Sequence, residues 1–254
     1  MILVGTRDNA AARRREVPIG DAIFYRSEWM EHGRDPQRAP NVILVEQPPN
    51  ATLVAHFHQT NQFQLFVEGS GTLGPHAIEP YLVHYAGAFT GYGPLVAGPR
   101  GIKYLTLRAG WDSGFIPISE RERMRRGPKR HAESAVFSSS MPGPASEARN
   151  GSGSRALIPM GPGGLGATFT QLGADAPWRI TGDLASQGQF VVVLEGALHY
   201  GDTELGMWAS LFVSADEPPP QLMAGARGAS VVAMHMPRME AQYGLGSSRA
   251  VAGS

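Results

Sequence analysis

Residues 55–73 read AHFHQTNQFQLFVEGSGTL and contain the only His-x-His pair of the chain, His56 and His58. Side chains at positions i and i+2 of a strand share a face, so a strand here would point both imidazoles the same way, with Phe57 on the other side. Gln62 lies beyond a short turn, at the start of the next strand, and could come back beside them. Two imidazoles and a side-chain oxygen that converge inside a β-barrel would suit a divalent first-row metal.

The composition limits the class of protein. The 254 residues include 22 Lys and Arg and 22 Asp and Glu, so we expect no basic field for nucleic acid or for an anionic membrane. The 32 Gly and 20 Pro favour many short strands and turns over long helices. Cysteine is absent, so any metal must take nitrogen and oxygen ligands. Neither a signal-peptide core nor a membrane-length apolar run is evident, which predicts a cytoplasmic protein.

Short strands separated by turns predict an all-β sandwich or barrel. The candidate strands of the first half are residues 23–29, 41–46, 52–58, 63–67, 77–85 and 102–108. The charged block at residues 118–132 predicts a short helix followed by a loop, and residues 138–154 have the composition of a linker. Residues 1–16, which end in a basic cluster, are expected to form a solvated arm.

The second half of the chain repeats the first at an offset of 127 residues, the difference between Gly196 and Gly69. The same offset pairs Gln62 with Gln189 and carries an Ala-Gly-x-Arg-Gly turn of the first half onto the second. A constant register across a hairpin and a turn predicts a tandem duplication of one β-domain. We therefore expect three parts, an N-terminal domain, a linker and a C-terminal domain, at residues 1–120, 121–155 and 156–254.

The repeated pattern resembles the first motif of the cupin superfamily, which is His-x-His, three or four residues, Glu, six residues and Gly. In this chain His56 and His58 are followed by Gln62, in place of the glutamate, and by Gly69 at the matching spacing. The resemblance implies an all-β bicupin, with two tandem jelly-roll barrels. It also implies a divalent metal, Fe, Mn, Ni or Zn, held inside the barrel by the motif residues and a histidine from a second motif.

The resemblance covers residues 40–110 and 165–237, with two departures. The second motif would fall around residues 87–102, where the sequence has no histidine. In the second half Asp183 and Ala185 replace the two histidines of the first motif. The C-terminal barrel is therefore expected to be degenerate and unable to bind metal in the manner of the family.

Further side chains are candidates for the site. His84 is the expected third imidazole, and its alternative role is that of a sheet residue that faces a neighbour or solvent. Tyr92, Tyr104 and Arg108 are the candidate catalytic residues at the barrel mouth, with ordinary core or rim packing as the alternative. Aromatic side chains together with one cation would suit an aromatic or carboxylate ligand.

The first hypothesis is a metal-dependent bicupin enzyme for a small oxygenated substrate, dioxygenase-like by analogy with ring-cleaving bicupins. Its metal ligands would be His56, His58, Gln62 and His84. One alternative is a non-catalytic barrel that binds a small molecule without metal, through hydrogen bonds from the histidines. Another is a structural module like the seed-storage bicupins. A homodimer is expected, because cupin barrels often pair through edge strands.

Overall fold

The computed structural model describes residues 1–30, 40–135, 153–161, 163–181 and 186–243. Most of the linker composition expected at residues 138–154 lies outside this part of the chain, and so do Asp183 and Ala185. None of the described helices has the length and the apolar character needed to cross a bilayer.

The described residues form 19 strands, a short α-helix and two 3-10 helices. The strands up to residue 135 are β1 (Ile2–Gly5), β2 (Arg15–Ile19), β3 (Ala22–Glu28), β4 (Asn41–Gln47), β5 (Thr52–Leu53), β6 (His56–Phe57), β7 (Gln62–Leu73), β8 (His76–Ile78), β9 (Val83–Ala86), β10 (Leu95–Arg108), β11 (Ile116–Pro117) and β12 (His131–Glu133). The later strands are β13 (Gly153–Ile158), β14 (Gly166–Leu172), β15 (Pro177–Arg179), β16 (Ser186–Tyr200), β17 (Thr203–Leu205), β18 (Ser210–Ser214) and β19 (Gln221–Pro237). The helices are α1 (Arg7–Ala12) and the 3-10 segments Ile118–Arg123 and Ala241–Tyr243.

The strands form two large antiparallel sheets and one small one. The first large sheet has the order β12-β9-β7-β10-β4-β3-β2, with β5 paired to β10 and β8 paired to β7. The second has the order β1-β18-β16-β19-β14-β13, with β15 paired to β19 and β17 paired to β16. Strands β6 and β11 form the small sheet. The expected strand at residues 52–58 is thus split into β5 and β6, and this break sets β6 apart from the main sheet.

The predicted duplication is visible in strands of the two halves that correspond in position along the chain. An offset of 127 residues carries the bounds of β8 onto those of β17. The same offset carries β7 into β16 and β10 into β19. At Gly69 the φ angle is +82°, and a Cβ there would lie 2.0 Å from the carbonyl oxygen of Gly101. At Gly196 the φ angle is +70°, and a Cβ would lie 2.1 Å from the carbonyl oxygen of Gly228. The same close approach of two strands therefore requires glycine in both halves.

Two edge strands lie outside the arrangement predicted from the sequence. Strand β1 pairs with β18 of the second sheet, from Ile2 opposite Val213 to Gly5 opposite Ser210. Strand β12, which lies within the expected linker, pairs with β9 of the first sheet. The prediction of a solvated arm at residues 1–16 was therefore wrong for β1, because its apolar residues complete a sheet edge that would otherwise be open.

Equivalent faces of the two halves pack against each other in one hydrophobic core. The first sheet contributes Phe63, Leu65, Leu105 and Leu107, and the second contributes the residues 127 positions later, Phe190, Val192, Val232 and Met234. Because side chains alternate along a strand, the intervening residues of β7 and β10 point away from this core into the first barrel. The packing of the halves thus fixes which side chains face the barrel interior.

Candidate functional site

Polar side chains of β7 and β10 line the inside of the first barrel. Gln62, Gln64, Thr106 and Arg108 are all buried, and they alternate with the residues of the shared core. In the second barrel the positions equivalent to Gln64 and Thr106 are occupied by valine and alanine, which belong to an apolar cluster. The second barrel keeps buried polar residues at the positions equivalent to Gln62 and Arg108, which are Gln189 and His235, so the N-terminal barrel is the more polar of the two at the other two positions only.

The two motif histidines are held by hydrogen bonds at their Nδ1 atoms. His56 Nδ1 lies 2.7 Å from the carbonyl oxygen of Val54, and His58 Nδ1 lies 2.6 Å from Oδ2 of Asp112. Carbonyl and carboxylate oxygens accept, so Nδ1 carries the proton in both rings and Nε2 keeps its lone pair. The ring centroids are 5.4 Å apart. This is the ring orientation in which protein imidazoles bind metals, with a backbone carbonyl or a carboxylate behind each ring.

The electrostatic environment keeps both imidazoles neutral. Burial, together with the neighbouring His58, lowers the pKa of His56 to about 3. Burial and Arg108 also lower the pKa of His58, against the opposite effect of Asp112. Burial raises the pKa of Asp112, but Arg108 and His58 outweigh it and bring the value to about 2. At neutral pH the site therefore contains neutral imidazoles, which is the form that ligates metals, beside a charged carboxylate.

Tyr92 lies at the centre of the site. Its hydroxyl is 2.9 Å from Nε2 of His56 and accepts a hydrogen bond from the side-chain amide of Gln62. Its ring centroid is 4.5 Å from that of His56 and 5.1 Å from that of His84. Tyr92 therefore lies against both histidines, and burial raises the pKa of its phenol, which keeps it protonated.

Gln62 is placed beside the histidines, but its oxygen is already engaged. Arg108 donates to Oε1 of Gln62 from Nε at 3.1 Å and from Nη2 at 2.7 Å. A third bond from Arg108 Nη1 reaches Oδ1 of Asn41 at 3.3 Å. Ligation of a metal by Gln62 stays a prediction, and it would require the two bonds from Arg108 to be replaced.

His84 has hydrogen-bond partners other than the two motif histidines. Its Nδ1 lies 2.7 Å from Oε1 of Gln64, and its Nε2 lies 2.5 Å from Nε2 of His131. The structure thus groups His84 with a histidine of β12 instead of with His56 and His58. Its predicted role as the third ligand of that pair stays untested, and the arrangement found here differs from the expected one because Tyr92 occupies the space beside His56.

A cavity of about 400 Å³ opens onto this site, which we call the central cavity. Its lining includes His56, His58 and all three predicted catalytic residues, Tyr92, Tyr104 and Arg108. Tyr104 is fully buried and also packs on Phe66, at a centroid distance of 5.3 Å, so core packing is part of its role. Gln62 and His84 are not among the described residues that line the central cavity.

The donor set fits a divalent metal at His56 and His58. Both rings offer Nε2, and the Tyr92 hydroxyl lies 2.9 Å from that of His56, in a hydrogen bond that a metal would replace. Oδ1 of Asp112 is buried and has no hydrogen-bond partner among the described residues. An unpaired buried carboxylate oxygen is costly, so a water molecule or a cation is expected beside it.

Several residues of the site were not predicted from the sequence. Asp112 follows β10 in a loop, and its position behind His58 depends on a contact across 54 residues that no local pattern shows. Arg26 of β3 also lines the central cavity, although nothing in its strand marks it out. His131 and Glu133 form a His-x-Glu pair at strand spacing, and this pattern could have suggested two ligands on one face of a strand.

Comparison with protein-family models and with curated protein sequences gave no match. Among solved structures, a candidate dioxygenase from Nostoc punctiforme has a TM-score of 0.58 at 13% identity, over 92% of this chain and 78% of that chain. Oxalate decarboxylase of Lactobacillus farciminis, in its formate complex, has a TM-score of 0.56 at 9% identity, over 94% and 87% of the two chains. The Escherichia coli pirin YhhW, bound to nickel(II), has a TM-score of 0.52 at 11% identity, over 94% of this chain and all of that one (100%). Likeness at such identities shows the fold, and it agrees with the duplicated antiparallel barrels. The chain therefore has the cupin fold, with two tandem jelly-roll barrels, as its repeated sequence pattern predicted.

Proposed function

We propose that the N-terminal barrel is the active site of a metal-dependent enzyme that acts on a small, oxygenated, anionic substrate, with dioxygenase-like chemistry. One observation carries the proposal: His56 and His58 both line the central cavity, with Nδ1 fixed behind each ring and Nε2 left as the lone-pair nitrogen. The solved structures with a similar fold support it, since they include a candidate dioxygenase, an oxalate decarboxylase and a nickel-bound pirin.

The residues around the metal position have different roles. His56 and His58 would hold the ion, and a bound divalent ion would supply Lewis-acid polarisation of a substrate oxygen. Asp112 keeps the proton of His58 on Nδ1 and also accepts a hydrogen bond from the backbone of Gly114 at 3.0 Å, so the carboxylate is itself held in place. Arg108 fixes Gln62, and Gln62 in turn fixes the Tyr92 hydroxyl beside the metal position.

The charges of the central cavity favour an anionic substrate. Arg15 pairs with Glu28 at 3.3 Å, and Arg108 lies 3.8 Å from Asp112, so these two cations have counter-charges. Arg26 lines the same cavity, and its buried Nε has no hydrogen-bond partner among the described residues. Burial, together with the nearby charge of Arg108, lowers the pKa of Arg26. A carboxylate bound beside Arg26 would satisfy this donor and balance the charge.

The remaining lining of the central cavity favours a substrate with an aromatic or other flat apolar part. Its aromatic members, besides Tyr92 and Tyr104, are Phe24, Tyr25, Trp111 and Phe115. Trp111 and Phe115 belong to the exposed large hydrophobic residues, so they lie where a ligand could cover them on entry. A volume of about 400 Å³ is within the range of small-molecule sites.

One observation favours a second candidate function, a barrel that binds a small molecule without metal and without catalysis. The Tyr92 hydroxyl donates to Nε2 of His56, which occupies the lone pair that a metal would need. In this alternative His58 and Tyr92 would hydrogen-bond the ligand directly, and Arg26 would still bind its carboxylate.

The experiment that tests the enzyme proposal is reconstitution with Fe(II), Mn(II), Ni(II) or Zn(II), followed by oxygen uptake and binding calorimetry with small aromatic and aliphatic carboxylates. Turnover that requires metal is expected, with affinity for the carboxylate reduced by Arg26→Gln. The matched control is Arg227→Gln, which changes an exposed arginine of the second barrel. Binding without metal and without turnover would overturn the enzyme proposal in favour of the second candidate, and affinity unchanged by Arg26→Gln would overturn the anionic substrate.

A further inference from the structure

A second group of ligand-type side chains lies at the edge of the first sheet. It consists of His84 on β9 and of His131 and Glu133 on β12. Glu133 is directly opposite His84 in the strand pairing, and His131 is two residues before it, so the three side chains lie on one face. Their ligand atoms all lie within 4.8 Å of one another. We call this group the edge cluster.

The hydrogen bonds of His84 determine which of its nitrogens faces the edge cluster. Nδ1 lies 2.7 Å from Oε1 of Gln64, an oxygen that accepts, so the proton is on Nδ1 and the lone pair is on Nε2. That Nε2 is 2.5 Å from Nε2 of His131. Two nitrogens this close are joined by a hydrogen bond from a protonated Nε2 of His131, or they would both bind a metal ion after a small rotation of one ring.

Glu133 supplies the independent observation that points to an ion. Its Oε1 is buried and has no hydrogen-bond partner among the described residues, while its Oε2 is 3.6 Å from Nδ1 of His76. A hydrogen bond between the two histidines alone would leave this carboxylate oxygen unsatisfied. A cation in the cluster would satisfy the oxygen and separate the two nitrogens at the same time.

We propose that His84, His131 and Glu133 form a second divalent metal site, separate from the pair His56 and His58. Two imidazoles and one carboxylate are a donor set that Zn(II) and Fe(II) take in proteins, with positions left for water or another ligand. Metal–nitrogen bonds of about 2.0–2.1 Å in tetrahedral geometry place the two nitrogens about 3.3 Å apart. His131 is exposed on an edge strand, so its ring has room for this small rotation.

The position of the site suggests what the ion does. Strand β12 follows the 3-10 helix at Ile118–Arg123 and has only three residues, so its pairing with β9 rests on few backbone hydrogen bonds. A metal bound by residues of both strands would hold β12 on the barrel. His76, on β8, is the available fourth imidazole. The hydrogen bond that His84 Nδ1 donates to Oε1 of Gln64 makes Gln64 a positioning residue for the same ion.

Zinc titration of metal-stripped protein tests this proposal, with Co(II) absorption spectra as a second readout of the donor set. Glu133→Gln, and separately His131→Ala, should each remove one equivalent of tightly bound zinc, whatever the stoichiometry of the other site. Gln64→Ala should weaken the same equivalent by roughly 10–100-fold, as the loss of an outer partner of a ligating histidine does. The matched control is His199→Ala, which changes a partly exposed histidine of the second barrel and should remove none.

The edge cluster and the central cavity are tested separately by this design. If His56→Ala/His58→Ala leaves one equivalent that Glu133→Gln then abolishes, the edge cluster binds zinc independently. If zinc uptake and the Co(II) spectrum are the same with and without Glu133→Gln and His131→Ala, the edge cluster proposal is wrong, even where the pair His56 and His58 binds metal. Circular dichroism and thermal melts of the metal-free variants confirm that the comparison is between folded proteins.

Discussion

Acidification should destabilise the metal-free protein through its buried neutral histidines, and His56 allows the magnitude to be worked out. The pKa of this imidazole is lowered from 6.5 to about 3 in the folded protein, first by burial and then by His58. Below pH 6.5 the unfolded chain therefore binds a proton that the folded chain does not, and the free energy of unfolding falls until about pH 3. Proton linkage gives a loss of about 2 kcal/mol between pH 7 and pH 5 from this residue alone. The pKa values of His58 and His84 are lowered in the same direction, so the total loss should be larger.

The assay is urea unfolding of chelator-treated protein at pH 7 and pH 5, followed by tryptophan fluorescence. The quantity to compare is the fall in unfolding free energy between the two pH values for the wild type and for His56→Gln. In the variant this fall should be smaller by about 2 kcal/mol, because the titrating group is absent. His199→Gln is the control and should behave like the wild type. A His56→Gln protein with the full pH sensitivity of the wild type would refute the view of His56 as a buried neutral imidazole.

Three further predictions concern single substitutions, the first of them paired with a control. Gly69→Ala should lower the free energy of unfolding by about 3 kcal/mol, because the new Cβ would lie 2.0 Å from a carbonyl oxygen. The control Gly20→Ala, with φ of +59° and no atom within 4 Å, should lower it by only about 1 kcal/mol. Equal losses in denaturant unfolding would contradict the account of the duplicated hairpin. Asp112→Asn should weaken metal binding in the central cavity by roughly 10–100-fold in calorimetry, because a neutral amide replaces the charged carboxylate behind His58, and unchanged affinity would exclude that role. Tyr92→Phe should strengthen metal binding, because it frees a histidine nitrogen, and weaker binding would instead make the phenol a ligand.

The duplicated fold could be predicted from the sequence because its steric constraints require particular residues, above all glycines, at fixed positions along the chain. Gly69 and Gly101 are required wherever two strands approach this closely, and the second half repeats both at the same offset. The polar face of β7 could be predicted for a related reason, since its alternation with apolar residues is visible in the sequence, and both motif histidines line the same cavity as Gln64 of that strand. The pairing of β1 with the second sheet and of β12 with the first was not predictable, because strands of three or four residues carry too little sequence pattern to specify which open edge they join.

The chemistry of the site depends on contacts that sequence patterns do not encode. Gln62 was predicted to offer its oxygen to a metal, but the structure directs Arg108 to that oxygen. Asp112 was missed because it reaches His58 from a loop, and loops carry no periodic signal. His84 was predicted as a site residue, but its nearest imidazole belongs to β12, in a segment that reads as linker.

The measurement that tests the central claim most directly is metal analysis by mass spectrometry of protein purified without an affinity tag and reconstituted with Fe, Mn, Ni or Zn. The wild type is compared with His56→Ala/His58→Ala, and His199→Ala serves as the control. If the N-terminal barrel holds a divalent metal on His56 and His58, the double variant will carry one equivalent less than the wild type and the control. Equal metal content in the wild type and the double variant would contradict the claim.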